Sequence, residues 1–253
     1  MATVTTTDPW YVPDWPLPAG VHALQTTRCG GVSRAPWNSF NLGDHVGDRA
    51  EDVAANRALL ALVLPAQPCW LQQVHGVAVF DADTAIEATP GPQADAVFSR
   101  QSGRVCAVMT ADCLPVLFCE RNGGVVAAAH AGWRGLRAGV LEATLAAMRV
   151  APAQVMAWLG PAIGPAAFEV GAEVRQAFVG DDAAAAAAFV AGTDGRYFAD
   201  LYLLARQRLQ RAGVTAIHGG NACTLLDAER YFSYRRDGVT GRMATLIWRG
   251  APL

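Results

Sequence analysis

Three residues whose side chains can bind transition metals stand in comparable surroundings: His75, Cys113 and His130. His75 follows the run Trp70-Leu71-Gln72-Gln73-Val74, Cys113 follows Val105 to Asp112, and His130 follows Val125 to Ala129. Each stands where a strand-like stretch gives way to a loop containing Gly or Pro. In sheet-containing enzymes ligands collect at such strand ends, because strands fix the loops that carry function. Two imidazoles and one thiolate are a ligand set for catalytic zinc, and three protein ligands leave a fourth position for water or substrate. Singly, each residue has a plainer reading: a buried cysteine is usually a small hydrophobe, and a histidine a hydrogen-bonded structural residue. The recurrence of one context makes the set a candidate zinc site, with copper as a second metal that suits it.

Other polar residues lie close by in sequence. Asp112 adjoins Cys113, but neighbouring side chains on an extended chain point to opposite faces, so its expected role is to stabilise the turn. His45, in the polar loop Asn41-Leu42-Gly43-Asp44-His45, is a candidate for contact with substrate, as is Asn41. Arg28, in the turn Arg28-Cys29-Gly30-Gly31, and Arg134, in Gly132-Trp133-Arg134-Gly135, are candidates for holding an anion. The second of these segments opens a helix, where exposed N–H groups attract negative charge. Each arginine is equally well explained as a solvated surface residue. His22 and His218 read as structural.

The elements that must position these residues follow from pattern. Strands are expected over Val21–Thr27, Cys69–Val74, Val77–Phe80, Ala96–Phe98, Val105–Met109, Val116–Cys119, Val125–Ala129, Met156–Leu159 and Met243–Trp248. Asp48 with Glu51 reads as a capping box opening a helix with Val53, Leu59, Leu60 and Leu62 as its buried stripe. A second helix starts near Gly132 and places Leu136, Val140, Leu141, Leu145 and Met148 on one face. Residues 171–191, with their alanine run, read as helix. A further helix covers about 199–212 with Leu201, Leu204, Ala205 and Leu209 inward. No internal repeat or long linker appears, and 253 residues with 52% hydrophobic content fit a single domain over 1–253.

Composition excludes several functions. The net charge of −2 provides no basic surface for nucleic acid. All 20 basic residues are arginine, so no Schiff-base lysine and no Gly-Lys-Ser/Thr phosphate loop is available, and any anion falls to arginine, backbone N–H groups or metal. No run approaches the ~18 apolar residues that a membrane span needs. The N-terminus lacks the pattern of a signal peptide, and the 6 cysteines form no CxxC pair, so the expectation is a cytoplasmic protein with reduced thiols.

Several stretches resemble the YfiH family, also called the laccase-domain or polyphenol-oxidase family. They are TTRCGGVSRAPWNSFNLGDHVGD, WLQQVHG, ADAVFS, MTADCLPVLF, AAHAGWRGL, GPAIGP, FEVG and CTLLDAERYFSYRRDGVTGRMATLIW, in the family's order. The resemblance implies an α/β fold of α+β type, layered α/β/β/α with mixed sheets. It also implies that His75, Cys113 and His130 bind metal and take part in catalysis, and that the chain phosphorolyses adenosine, inosine and methylthioadenosine and deaminates adenosine. The implied partners are therefore purine nucleosides and phosphate, for a monomer or homodimer. One departure is visible: the family often has cysteine where this chain has Ala167, which weakens a copper site using that thiol. Two alternatives stay open. A copper polyphenol oxidase is disfavoured by having only 5 histidines and no His-x-His pair. A metal-free cysteine hydrolase would use Cys113 as nucleophile with His130 or His75 as base, matching the editing of peptidoglycan precursors attributed to bacterial members.

Overall fold

The computed structural model describes residues 7–84 and 91–250. Two mixed sheets carry the fold. The first has five strands in the order β1 (Trp10–Tyr11), β2 (Val21–Thr26), β14 (Met243–Arg249), β6 (Val105–Thr110) and β3 (Pro68–Cys69). The second has six: β13 (Ala216–Gly219), β9 (Val155–Leu159), β7 (Leu114–Glu120), β8 (Val126–Ala131), β5 (Ala96–Ser99) and β4 (Val79–Asp81). A small third sheet joins β10 (Glu169–Val170), β12 (Tyr197–Ala199) and β11 (Phe189–Ala191).

Both large sheets are buried on both faces, which is why their strands read as nearly continuous apolar runs rather than alternating ones. The period of two survives as a division of labour. Cys106 and Val108 of β6 and Ile247 of β14 face Val97, Leu117, Cys119, Val126, Ala128, Met156 and Trp158 of the second sheet, forming the core between the sheets. Their neighbours Val105, Ala107, Met109, Ala244, Leu246 and Trp248 point the other way, against Phe40, Leu42, Leu60 and Leu64. On the far face of the second sheet, Val116, Phe118, Ala127, Ala129 and Ala157 pack under helices α3 (Val140–Met148), α4 (Ala172–Asp181) and α5 (Leu201–Arg211). The α/β/β/α layering is therefore present.

Three local expectations are corrected. Helix α1 (Ala50–Ala61) has Arg49 at its N-cap and no side-chain cap, because Asp48 instead accepts hydrogen bonds from the Arg49 N–H and the Asn41 side chain. Its inward residues are Val53, Asn56 and Leu60, whereas Leu62 is 79% exposed. Buried Asn56 takes the central place because its amide donates to Ser33 Oγ and to the carbonyls of Ser39 and Asn41, pinning the 31–43 loop. The helix after Gly132 is two helices, α2 (Trp133–Ala138) and α3, divided at Gly139 with φ of 103°. The alanine run forms a 3₁₀ segment over Ala183–Ala188, capped by Asp182, and the chain then turns into β11. Helix α5 matches its expected face, with Leu201, Leu204, Ala205 and Leu209 buried and Asp200 capping it.

Candidate metal centre

The chain reaches the centre from three directions. β6 ends at Thr110, and a tight corner at Ala111 to Cys113 carries the chain from the first sheet into β7 of the second. Asp112 holds φ of 90°, and its carboxylate accepts hydrogen bonds from Thr224 Oγ1 at 2.6 Å and the Arg235 N–H at 2.7 Å, while its carbonyl accepts from the Ile163 N–H. Asp112 thus stabilises the turn and has both oxygens engaged away from a metal. His130 is the penultimate residue of β8, in phase with Val126 and Ala128 on the face between the sheets. His75 sits beyond β3, where the chain follows the edge of β6. There the Gln73 side chain donates to the Met109 carbonyl and accepts from the Met109 N–H, replacing the strand ladder.

Asp95, wholly buried, ties two of these segments together. Its oxygens accept from the N–H groups of Val74 (3.2 Å), His75 (2.9 Å) and Gly76 (2.7 Å), a row of donors that forms an anion nest. These bonds hold His75 at φ of 61°, a left-handed conformation that costs about 1–2 kcal/mol outside glycine. The same carboxylate meets His130 Nδ1 at 2.9 Å, which leaves Nε2 as that ring's ligand atom. Burial pushes the Asp95 carboxyl up, but the bonds from His130 and the backbone more than offset it, so its pKa is lowered. Sequence reading missed this residue; its signal is a single acidic side chain at the head of the apolar stretch Ala96–Ser99.

The three candidate ligands converge: one ligand atom from each of His75, Cys113 and His130 lies within 4.8 Å of the others. Cys113 Sγ is 3.8 Å from His75 Nε2, and the two imidazoles meet edge to face with centroids 4.7 Å apart. Ligand atoms of a tetrahedral zinc site stand roughly 3.5 Å apart, so small adjustments suffice. Among the described residues this is the one cluster of three or more such groups. Gly132 is part of the cradle, since a Cβ there would stand 2.8 Å from Cys113 Sγ and 3.1 Å from His75 Cδ2. His75 is exposed, Cys113 half-buried and His130 buried, so the centre opens on one side. Burial pushes the Cys113 thiol up, yet His130 and His75 overcome this and draw it down to about 6. Burial lowers the His130 pKa, while Cys113 and Asp95 raise it to about 9. Lacking such neighbours, Cys69 is pushed up to about 11 and Cys119 to about 12. The residues fit a metal that takes two nitrogens and a thiolate.

The other expected site residues are distributed more widely. Asn41 is fully buried: its Oδ1 accepts from the N–H groups of Gly43 and Arg242, and its amide donates to Gly43 O and Asp48. His45 is exposed on the same loop beside Asp44. Burial and the Arg242 charge lower its pKa. Arg28 donates to the carbonyls of Asn38 and Ala228 and covers the Phe232 ring. Arg134 is exposed and lies over the Trp133 ring at 4.6 Å. His22 Nε2 donates to Gly250 O and its ring stacks on Trp248, and His218 lies beside Trp15; neither belongs to the cluster. A cavity of about 460 Å³ lined by Gly164, Tyr202, Arg206, Cys223 and Leu226 abuts the Gly160–Pro165 turn but holds none of the three ligands.

Known proteins resemble the chain over almost all its length. Residues 22–250 match the family model described as multi-copper polyphenol oxidoreductase laccase. Purine nucleoside phosphorylase YfiH of Escherichia coli is 56% identical over 239 residues, covering 94% of this chain and 97% of that protein. A purine nucleoside phosphorylase of Pseudomonas aeruginosa is 55% identical over 240 residues, covering 94% and 98%. A crystal structure of a Neisseria meningitidis protein matches with a TM-score of 0.93 at 51% identity, covering 96% of this chain and 100% of that one. YlmD from Geobacillus stearothermophilus matches with a TM-score of 0.81 at 31% identity, covering 92% and 93%.

Proposed function

The chain belongs to the family described as multi-copper polyphenol oxidoreductase laccase, and from that premise we propose that it is a zinc-dependent purine nucleoside phosphorylase acting on adenosine, inosine and methylthioadenosine, with adenosine deaminase activity. The observation that carries the reading is the convergence of His75, Cys113 and His130 in a chain whose relatives, more than half identical, are named purine nucleoside phosphorylases. These three residues would hold the metal. Zinc, when bound, supplies a Lewis acid and lowers the pKa of a coordinated water toward about 7.

The rest is the protein's own contribution. Asp95 fixes the His130 ring so that Nε2 faces the centre, and it holds the backbone that presents His75. The Asp112 corner sets Cys113 at the junction of the sheets. His45, exposed on its loop, is assigned to substrate, and Asn41 is assigned to shaping that loop. Arg28 and Arg134 stay on the periphery of the substrate site in this reading. Zinc is preferred to a multi-copper centre because the described residues form one cluster of three ligands, which neither His22 nor His218 joins. We place the enzyme in the cytoplasm as a monomer or homodimer, without membrane or nucleic-acid partners. No helix among the described residues is long and apolar enough to cross a membrane.

A second reading has its own observation. A thiol drawn down to about 6 beside an imidazole raised to about 9 is the ionic pair of a nucleophilic cysteine, as a metal-free cysteine hydrolase acting on peptidoglycan precursors would require. One experiment separates the two: metal analysis of the purified protein, then incubation with adenosine and phosphate with the products separated by chromatography. The expected result is about one zinc per chain, with adenine, inosine or hypoxanthine formed. Cys113→Ala and His75→Ala should lose both metal and activity and keep the fold. Full activity in either metal-depleted variant would sink the zinc reading. A metal-free, nucleoside-inactive protein whose Cys113 forms a covalent intermediate would establish the second.

A further inference from the structure

Phosphorolysis needs a group that meets phosphate, and with no lysine in the chain the protein's own candidates, apart from a bound metal, are arginine and backbone N–H groups. The arginines of the surrounding loops are held to different degrees. Arg28 is tied to two carbonyls and Arg134 covers Trp133. Arg57 pairs with Asp44 at 3.3 Å and covers Trp70. Arg235 donates through Nη1 alone to Glu169 O and lies over the Phe168 ring, and Arg236 is shared among Asp237, Thr224 O, Leu225 O and Tyr231 O.

Arg242 differs. In the antiparallel register of β14 and β6, Met243 stands opposite Thr110, so Arg242 comes next to the Ala111–Cys113 corner. Its backbone is fixed on both sides, the N–H by Asn41 Oδ1 at 2.8 Å and the carbonyl by the Leu42 N–H at 3.1 Å. Nη1 donates to Thr240 O and Gly241 O, which locks the guanidinium plane. Nε and Nη2 make no hydrogen bond among the described residues, leaving one edge of the fork open. The stem runs against the loop at Gly43, where a Cβ would come within 2.8 Å of Arg242 Cγ. Burial lowers the pKa of Arg242, whereas Cys113 and Asp112 act on it in the opposite sense, and Arg242 in turn acts on His45. The register at the Cys113 corner and the contact at Gly43 place Arg242 between that corner and the loop assigned to substrate.

We propose that Arg242 binds the inorganic phosphate that attacks the nucleoside, its open Nε/Nη2 edge taking two phosphate oxygens beside the Cys113 corner. The inference rests on the phosphorylase reading above. A planar fork suits a tetrahedral oxyanion, since two parallel N–H···O bonds hold two oxygens and leave a third to react. In the step itself, that third oxygen forms a bond to C1′ of the ribose while the C1′–N9 bond breaks. The bonding pair leaves with the purine, which takes up a proton, and the products are ribose 1-phosphate and the free base. Arginine lets phosphate approach by offsetting its charge at a centre that already carries a thiolate.

The test uses zinc-loaded wild type, Arg242→Gln and Arg242→Lys, with inosine saturating and phosphate varied, then with phosphate saturating and inosine varied. Arg242→Gln should keep its zinc and keep its KM for inosine within about threefold, while kcat/KM for phosphate falls about 100-fold. Arg242→Lys should lie between, since it restores the charge without the fork. An unchanged phosphate dependence in Arg242→Gln would overturn the assignment. So would equal losses for phosphate and inosine accompanied by lost zinc, which would mark a structural role. If wild type turns over no nucleoside, the phosphorylase reading fails by itself. Calorimetric titration of wild type and Arg242→Gln with inorganic phosphate then decides the binding role, which stands if the variant loses binding and falls if the two bind alike.

Discussion

Asp95 does two jobs with one carboxylate: three backbone N–H groups and a ring nitrogen all point at it, in a place without solvent. Replacing it with asparagine keeps the shape but sets an NH₂ group against donors, so at least two bonds are lost, at about 1.5–3 kcal/mol each for a charged acceptor. Asp95→Asn should therefore be destabilised at neutral pH. It should also bind zinc about 10–100-fold more weakly, because the partner that orients His130 is impaired. The pH dependence has a definite sign. The folded pKa of Asp95 is depressed, so its stabilisation is present above the unfolded carboxylate value and is lost as pH falls through the folded one. The gap in Tm between wild type and variant should thus narrow in acid. A constant gap from neutral pH to pH about 3, or unchanged zinc affinity in a chelator competition, would refute this role.

At the scale of elements, two glycines that are near neighbours in sequence should behave oppositely when changed to alanine. At Gly132 the added methyl would press on Cys113 Sγ and His75 Cδ2, so the loss should fall on metal binding. At Gly139 the nearest atoms stand at 3.6 Å or beyond, and the penalty is the φ of 103° at the α2/α3 joint. Gly139→Ala should cost about 1–2 kcal/mol, some 2–8 °C in Tm, and leave zinc content intact. The reverse pattern in paired melting and metal measurements would sink this account. The joint also shows where sequence reading stops. The apolar face from Leu136 to Met148 is continuous in the sequence, and all five named residues are buried, yet a left-handed glycine divides the helix without disturbing that periodicity. Most strand positions were legible because burial on both faces leaves long apolar runs, but the strand expected over Cys69–Val74 is limited to Pro68–Cys69, since beyond it the Gln73 side chain takes over the pairing with Met109. Asp95 and Arg242 were not legible, since their roles come from pairings across 20 or more positions, such as Asp95 with His75 and Asn41 with Arg242. The Ala183–Ala188 segment was misjudged for a related reason: high helix propensity there gives way to Asp182 capping and to the pairing of Phe189–Ala191 with β12.

For the molecule as a whole, the centre lies on the seam between the two sheets. His75 hangs from the edge of the first sheet through Gln73 and β6, His130 belongs to β8 of the second, and Cys113 occupies the crossing from β6 to β7. A metal held by all three would link the sheets at a point where the corner between them is short and partly open to solvent. Ligand that binds the folded state alone adds RT ln(1 + [L]/Kd) to its stability, about 4 kcal/mol at 1,000 times Kd. For a chain of this size that corresponds to roughly 8–16 °C in Tm. Stripping zinc from wild type with a chelator should lower its Tm on that scale, and readdition should restore it. Cys113→Ala should start near the stripped value and respond to neither treatment. Because the sheet-to-sheet core of Val108, Leu117, Val126, Ala128 and Ile247 includes none of the three ligands, the stripped protein should still melt cooperatively. A chelator shift of equal size in Cys113→Ala would mean that the stabilising metal sits elsewhere. Loss of the cooperative transition on stripping would mean that the metal, not this core, holds the sheets together.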